Sequence, residues 1–531
     1  MRTPIRPEFV SRSPWLTVCM LLLLPAVLFA QVDPARLDAV KEFKRYWKKF
    51  KEEAQQVEAV MTLKGNECVP AAEELLKLLK HPSAVVQQVA FDVLETYREP
   101  ATYQAWYEAL PKEKDQAQAA VLIKVLGRAK IMEALPAIEE VASSSKASSA
   151  VRFEAARALA NLGTPGKVGL IPQLLGDSDP TVRLAAVDAA GALKLTDASE
   201  ALTKLLGDDE WQVQSAAISA LSVLRPQPAV QPLIDLMRKS GRLRVECADA
   251  LFKITGMDFG VDPDRWQEQW SKLMTIPGWR IPTDEELAKK AESRKKYDAF
   301  YGKKEQTNAF VGIPTTSTNV LFIIDVSGSM DDLVVEVEKF QGYADRKRFT
   351  IVQTELLNTI ESLTPDTNFN IVAFATDLDI WKKNGLVAAN VVNRESAKSF
   401  VRRLKPIGGS EAQDLAASGL GGAANLAAGK TNTIKALLYP FHVDPDKPPK
   451  AVAAGADKQA LDSPLDTVYF LSDGRPSVGK IIDVNEILRE VRKYNEVYRI
   501  VIHAIAIGDF QKAFLKNLAE ENGGVFVDLG R

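Results

Sequence analysis

At 531 residues the chain is longer than one hydrophobic core organises, and length alone suggests about two to four domains. Apolar content of 46% excludes a wholly disordered chain. A formal net charge of −2 excludes a chain built for nucleic acid, which needs a basic face.

In chain order, residues 1–30 read as a signal peptide. Arg2, Arg6 and Arg12 precede the apolar run Trp15 to Ala30, with Ala30–Gln31 as the cleavage point. That pattern implies export, to a periplasmic, cell-surface or secreted location. Leu28 is larger than the residue usually found three positions before a cut. An uncleaved segment associating the chain with a membrane therefore stays open as the alternative. Cys68 and Cys247 lie beyond this segment and read as buried small hydrophobes.

Residues 31–64 form an N-terminal helical segment, lysine-rich from Arg36 to Val60. Residues 65–275 are a repeat array. Segments opening at Val86, Gln118, Val151, Val182, Val213 and Leu243 align without gaps, with starts 32, 33, 31, 31 and 30 residues apart. Self-similarity at that period marks a solenoid, in which each unit buries its apolar face against its neighbours. The aligned segments are Ala-rich inner helices, and amphipathic helices such as PAIEEVA from Pro136 and PLIDLM from Pro232 lie between them. Paired helices with D-x-x-V-R opening the second, as in Asp179 to Arg183, resemble short HEAT repeats. Trp266 and Trp270 sit one helical turn apart and are expected to cover the last repeat. Residues 276–316 read as a linker, and the array and the C-terminal half are expected to be separable units.

From Val320 the pattern becomes alternating strand and helix, which predicts a parallel sheet covered on both faces. VLFIIDVSGSM (Val320–Met330) is an apolar run followed by Asp325, Ser327 and Ser329. A carboxylate and two hydroxyls then sit at a strand's carboxyl end, where open α/β sheets place ligands. They are hard oxygen donors suited to Mg²⁺. FNIVAFATD (Phe369–Asp377), FLSDGRPSVG (Phe470–Gly479) and LAEENGGVFVDL (Leu518–Leu529) come next, in that order. Long insertions occupy Asp331–Lys347 and Pro440–Pro464.

D-x-S-x-S after a buried strand, with those later stretches, resembles a von Willebrand factor A domain over residues 317–531. Together the two halves resemble bacterial exported proteins that join HEAT-like repeats to such a domain. The fold class expected is multidomain: a HEAT-like α-solenoid, then an α/β doubly wound A domain. The resemblance implies a metal-ion-dependent adhesion site. Ser327 and Ser329 would bind Mg²⁺ directly, and Asp325 and Asp473 mainly through bound waters, at the sheet edge outside the apolar core. Mn²⁺ or Ca²⁺ are alternatives. The family's additional Thr is matched by Ser410 in PIGGSEAQD, with Thr431 and Thr433 as further candidates. The implied partner is a protein presenting Asp or Glu to the metal.

An enzyme is disfavoured. Only His81, His442 and His503 are present, and neither a G-x-S-x-G elbow nor a G-x-x-x-x-G-K-[ST] loop occurs. The reading is an exported, non-enzymatic interaction protein. The alternatives are a structural scaffold whose A domain is metal-inactive, and a metal-dependent hydrolase.

Overall fold

The computed structural model describes residues 33–163, 169–239, 241–301, 309–310, 313–314, 317–334, 340–343, 345–408, 429–447, 455, 459–473, 475–508 and 512–529. Residues 1–30, the signal-peptide segment expected from sequence, lie outside this set. No described helix is long and apolar enough to cross a membrane.

The first half is a stack of paired helices. Inner helices Gln116–Arg128, Ser149–Leu162, Pro180–Ala192, Trp211–Leu224 and Leu243–Thr255 pack one against the next. Asp115, Ser148 and Asp179 start three of them by accepting hydrogen bonds from first-turn backbone N–H groups. Small residues let these helices approach closely. A Cβ on Gly127 would lie 2.7 Å from the Ala158 Cβ, and one on Gly191 would lie 3.2 Å from the Ala220 Cβ.

The repeated D-x-x-V-R residues have defined jobs. Asp179 caps its helix, and Arg183 reaches forward to the next inter-helix turn, donating to both Asp208 carboxylate oxygens at 2.7 and 2.9 Å. Arg152 makes the same forked contact with Asp177 one repeat earlier. Each aspartate also accepts a backbone N–H two residues on, so one carboxylate shapes its turn and ties down the preceding repeat.

One apolar core runs from Val40 through Trp270, so the helices of segment 31–64 share it with the repeats. Trp266 is fully buried against Phe259, and its indole N–H donates to the Gly260 carbonyl at 2.8 Å. Trp270 meets Trp279 edge-on at 5.3 Å. The tryptophans therefore cover the end of the array, and Trp279 and Ile281 from the stretch read as linker join them.

The second half begins with a short antiparallel pair, β1 (Ala309–Phe310) and β2 (Ile313–Pro314). The main sheet holds β3 (Asn319–Asp325), β4 (Asn368–Phe374), β5 (Leu378–Ile380), β6 (Val387–Ala388), β7 (Thr467–Ser472), β8 (Val501–Ala506) and β9 (Phe526–Asp528). Its order is β5-β4-β3-β7-β8-β9, with β6 also on β4. β3, β4, β7, β8 and β9 are parallel, while β5 and β6 run antiparallel to β4. Along β3, Phe322 and Ile324 face helices Arg348–Ser362 and Val391–Arg403, while Leu321 and Ile323 face helices Thr433–Leu438 and Val484–Tyr498. Both sheet faces are thus apolar and covered, which makes this a doubly wound fold.

The halves also touch. Arg157 pairs with Glu496, and Arg499 with Asp188. Val497 packs against the array core and the core on one face of the main sheet alike. The Pro440–Pro464 insertion contributes too. Gln212 donates to the carbonyls of Ala460 and Leu461 at 3.1 and 3.3 Å, and the Gly455 N–H donates to Glu154 at 3.1 Å. The other insertion is closed at its neck, where Val334 bonds Arg346 and Lys347 pairs with Asp331 at 2.7 Å.

Candidate metal centre

β3 leads the chain to β4 on one side, and β7 leads it to β8 on the other, so the direction of winding reverses between β3 and β7. Their carboxyl ends therefore flank the crevice where such sheets hold ligands. Register places Ile324 beside Leu471, which sets Asp325 and Asp473 at adjacent strand ends. After Asp325 the chain turns through a 3₁₀ segment, Gly328–Asp331.

Asp325 accepts the Ser327 N–H at 2.8 Å on one oxygen and the Ser472 hydroxyl at 2.6 Å on the other. The Ser327 and Ser329 hydroxyl oxygens are 3.3 Å apart, and Ser329 donates to Asp473 at 2.9 Å. Four of the five residues singled out from sequence therefore converge. The fifth, Ser410, lies outside the described residues. The stretch that carries it starts and ends at the serine loop: the Ile407 N–H donates to the Val326 carbonyl and the Gly328 N–H to the Gly429 carbonyl, both at 2.9 Å. Gly429 leads into Thr431, whose backbone is pinned on both sides by Ser477. Asn432 then caps helix Thr433–Leu438. Thr431 thus enters the neighbourhood of the site, while Thr433 is buried and its hydroxyl has no hydrogen-bond partner among the described residues.

The carboxylates are not outside the core, as the sequence reading had them. Asp325 and Asp473 are 0% and 1% exposed. Burial, and then the neighbouring Asp473, push the Asp325 carboxyl up to about 7. Burial also raises Asp473, against the opposing pull of Arg348. Arg348 was not read from sequence as part of this site. Its Nη1 donates to Asp473 at 2.6 Å and to the Ser329 carbonyl at 3.2 Å.

Octahedral Mg²⁺, with bonds of about 2.0–2.1 Å, sets neighbouring ligand oxygens about 2.9 Å apart. The 3.3 Å between the two serine oxygens is close to that edge, and Asp473, hydrogen-bonded to Ser329 at 2.9 Å, stands behind them where bound waters would reach it. With both carboxyls ionised, one negative charge is left over beside the single guanidinium, and a bound cation would offset it. The donor set and its charge both fit a hard divalent cation. Among the described residues no group of three or more His, Cys, Asp or Glu side chains gathers, so a soft-ligand centre is not formed by them.

The model of the von Willebrand factor type A domain family matches residues 318–528, and that of HEAT repeats matches residues 168–251. Residues 318–528 form a von Willebrand factor type A domain. Relatives include inter-alpha-trypsin inhibitor heavy chain H1 of Mesocricetus auratus, 28% identical over 42% of this chain and 19% of its own length. Heavy chain H4 of Homo sapiens is 24% identical over 40% of this chain and 18% of its own. The chain thus spans about a fifth of the length of these relatives. A solved von Willebrand factor type A structure from Catenulispora acidiphila is 18% identical, with a TM-score of 0.27, over 40% of this chain and 39% of that one.

Proposed function

We propose that the chain is an exported, non-enzymatic interaction protein whose A domain binds a partner's Asp or Glu through a divalent ion. The array is its scaffold. The observation that carries this reading is the convergence of Asp325, Ser327, Ser329 and Asp473 at the switch point of the sheet, with both carboxyls buried. Ser327 and Ser329 would hold Mg²⁺, or Mn²⁺ or Ca²⁺, through their hydroxyls, and Asp325 and Asp473 would act mainly through waters. Ser410 or Thr431 would add a further oxygen. Bound there, the ion supplies an open coordination position that a carboxylate fills.

The protein's own part is positional. The Ser327 N–H and Ser472 hydroxyl fix both Asp325 oxygens, so the carboxylate keeps its orientation without metal. His503 is committed elsewhere. It lies buried on Tyr469 and accepts the Val525 N–H at 3.0 Å, leaving it no part as a general base at this site.

Calorimetric titration of Mg²⁺ into wild type and Asp325→Asn tests the reading. We expect affinity at least about tenfold weaker in the variant, and loss of Mg²⁺-dependent partner recovery in pull-downs. Equal affinity would remove Asp325 from the site. Arg348 favours a second reading, a metal-inactive scaffold, because it already supplies a cation beside Asp473. No uptake of Mg²⁺, Mn²⁺ or Ca²⁺ by wild type would establish that alternative.

A further inference from the structure

Arg348 stands where a cation is electrostatically awkward. It opens helix Arg348–Ser362, whose N-terminal end already carries partial positive charge. Yet the residue is only 6% exposed, and its Nε has no hydrogen-bond partner among the described residues. Its close partners are at the candidate centre: Asp473 at 2.6 Å and the Ser329 carbonyl at 3.2 Å, with Asp332 farther off at 3.7 Å. Helix formation does not account for a buried guanidinium here. The charge of the site does.

We infer that Arg348 is a specificity-determining counter-charge, which trades metal affinity for carboxylate affinity at this centre. The inference rests on the metal reading proposed for this site. With both carboxyls ionised, as a bound cation would hold them, Asp325, Asp473 and Arg348 together carry one net negative charge, Asp332 lying farther off at 3.7 Å and largely exposed. A divalent ion turns that into one net positive charge, and a single incoming carboxylate then makes the buried site neutral. If Arg348 were uncharged, the loaded site would already be neutral, and a partner's carboxylate would leave an uncompensated negative charge among desolvated groups. The same guanidinium repels the incoming ion and shares Asp473 with it. Arg348 thus opposes the ion and favours the anion. A residue that merely shaped the site would weaken both together.

The test uses the full chain stripped of metal, as wild type, Arg348→Gln and Arg348→Lys. Calorimetry first titrates MgCl₂, then a short peptide with one aspartate in neutral flanks into the Mg²⁺-saturated protein. Arg348→Gln should bind Mg²⁺ about tenfold more tightly and the peptide about tenfold more weakly, the scale of one partly screened charge a few ångströms away. Arg348→Lys keeps the charge and should stay within about threefold of wild type in both arms. The peptide arm runs in Mg²⁺ throughout, so it reads the charge even where metal-free Arg348→Gln is unfolded. Weakening of both ligands in Arg348→Gln, unchanged peptide binding, or Arg348→Lys behaving like Arg348→Gln overturns the inference and leaves the metal reading standing. A loaded wild type that ignores the peptide also overturns it. No Mg²⁺ uptake by wild type overturns both.

Discussion

In the array, Arg152 and Arg183 each reach a carboxylate in the following turn, so charge is paired off repeat by repeat along the stack. In the A domain, Asp325 and Asp473 arrive from strands more than a hundred residues apart in sequence and meet at one buried point beside one guanidinium. The first arrangement satisfies each charge where it stands. The second sets two carboxyls against each other in a place reached only by folding the whole sheet. Stability built from neighbours tolerates local damage, whereas a site built by topology depends on every strand that brings it together.

The largest expected effect tests that dependence. Phe322 is almost fully buried, stacks on Tyr469 at 5.5 Å and meets Phe310 at 5.3 Å. Phe322→Ala should cost about 4 kcal/mol. Hydrogen exchange should speed up across the whole main sheet and leave the helices from Pro34 to Leu162 unchanged. Loss confined to β3 would show that the sheet is not one cooperative unit.

Acidification should sharpen the contrast. Burial, and secondarily Arg242, lower His503 from 6.5 to about 4. Its folded value is depressed, so the neutral ring contributes stability that is complete above pH 6.5 and is lost as pH falls toward 4. The full term is on the order of 3 kcal/mol. Asp325, raised to about 7, contributes in the opposite direction, so the His503 term is read as a difference: over that window urea melts of wild type should lose stability relative to His503→Gln. An unchanged slope in the variant would assign the acid sensitivity to other groups.

Arg183→Ala should have the smallest effect, on the order of 2 kcal/mol, because it strands Asp208, whose side chain is 4% exposed. Exchange should rise in helices Pro180–Ala192 and Trp211–Leu224 and fade within one repeat on either side. A uniform rise across the array would mean that its repeats unfold together.

Much of this fold was legible because it repeats or alternates. The Ala-rich helices recur at a nearly fixed spacing, and β3, β4, β7 and β8 are apolar runs within a residue of their observed bounds. Sheet geometry placed Asp325, Ser327 and Ser329 at a strand's carboxyl end, and the family resemblance is what joined Asp473 to them before any coordinates. The edge strands β5 and β6 were missed. They are two or three residues long and carry no period. Arg348 was missed because RFTIVQTELL reads as an ordinary amphipathic helix, and nothing local says that its first residue turns inward. Thr431 was named only as a further candidate, behind Ser410, although it comes after a glycine and a lysine and precedes the helix-capping Asn432. The contacts of Glu154 and Gln212 with the insertion span 301 and 248 residues, and no pattern within either partner announces them.

The forked arginine contacts also determine how such a stack changes length. Each arginine meets an aspartate 25 residues ahead, and that aspartate lies inside the next unit's own turn. Removing or copying one complete unit therefore brings an equivalent arginine to an equivalent aspartate, whereas inserting a few residues between them breaks the match. Gln214, at the corresponding position of the next copy, keeps only the backward bond, donating to the Asp208 carbonyl at 2.6 Å as Arg183 donates to that of Asp177 at 2.9 Å. Along these two steps the stack is therefore keyed in whole units and resists fractional ones.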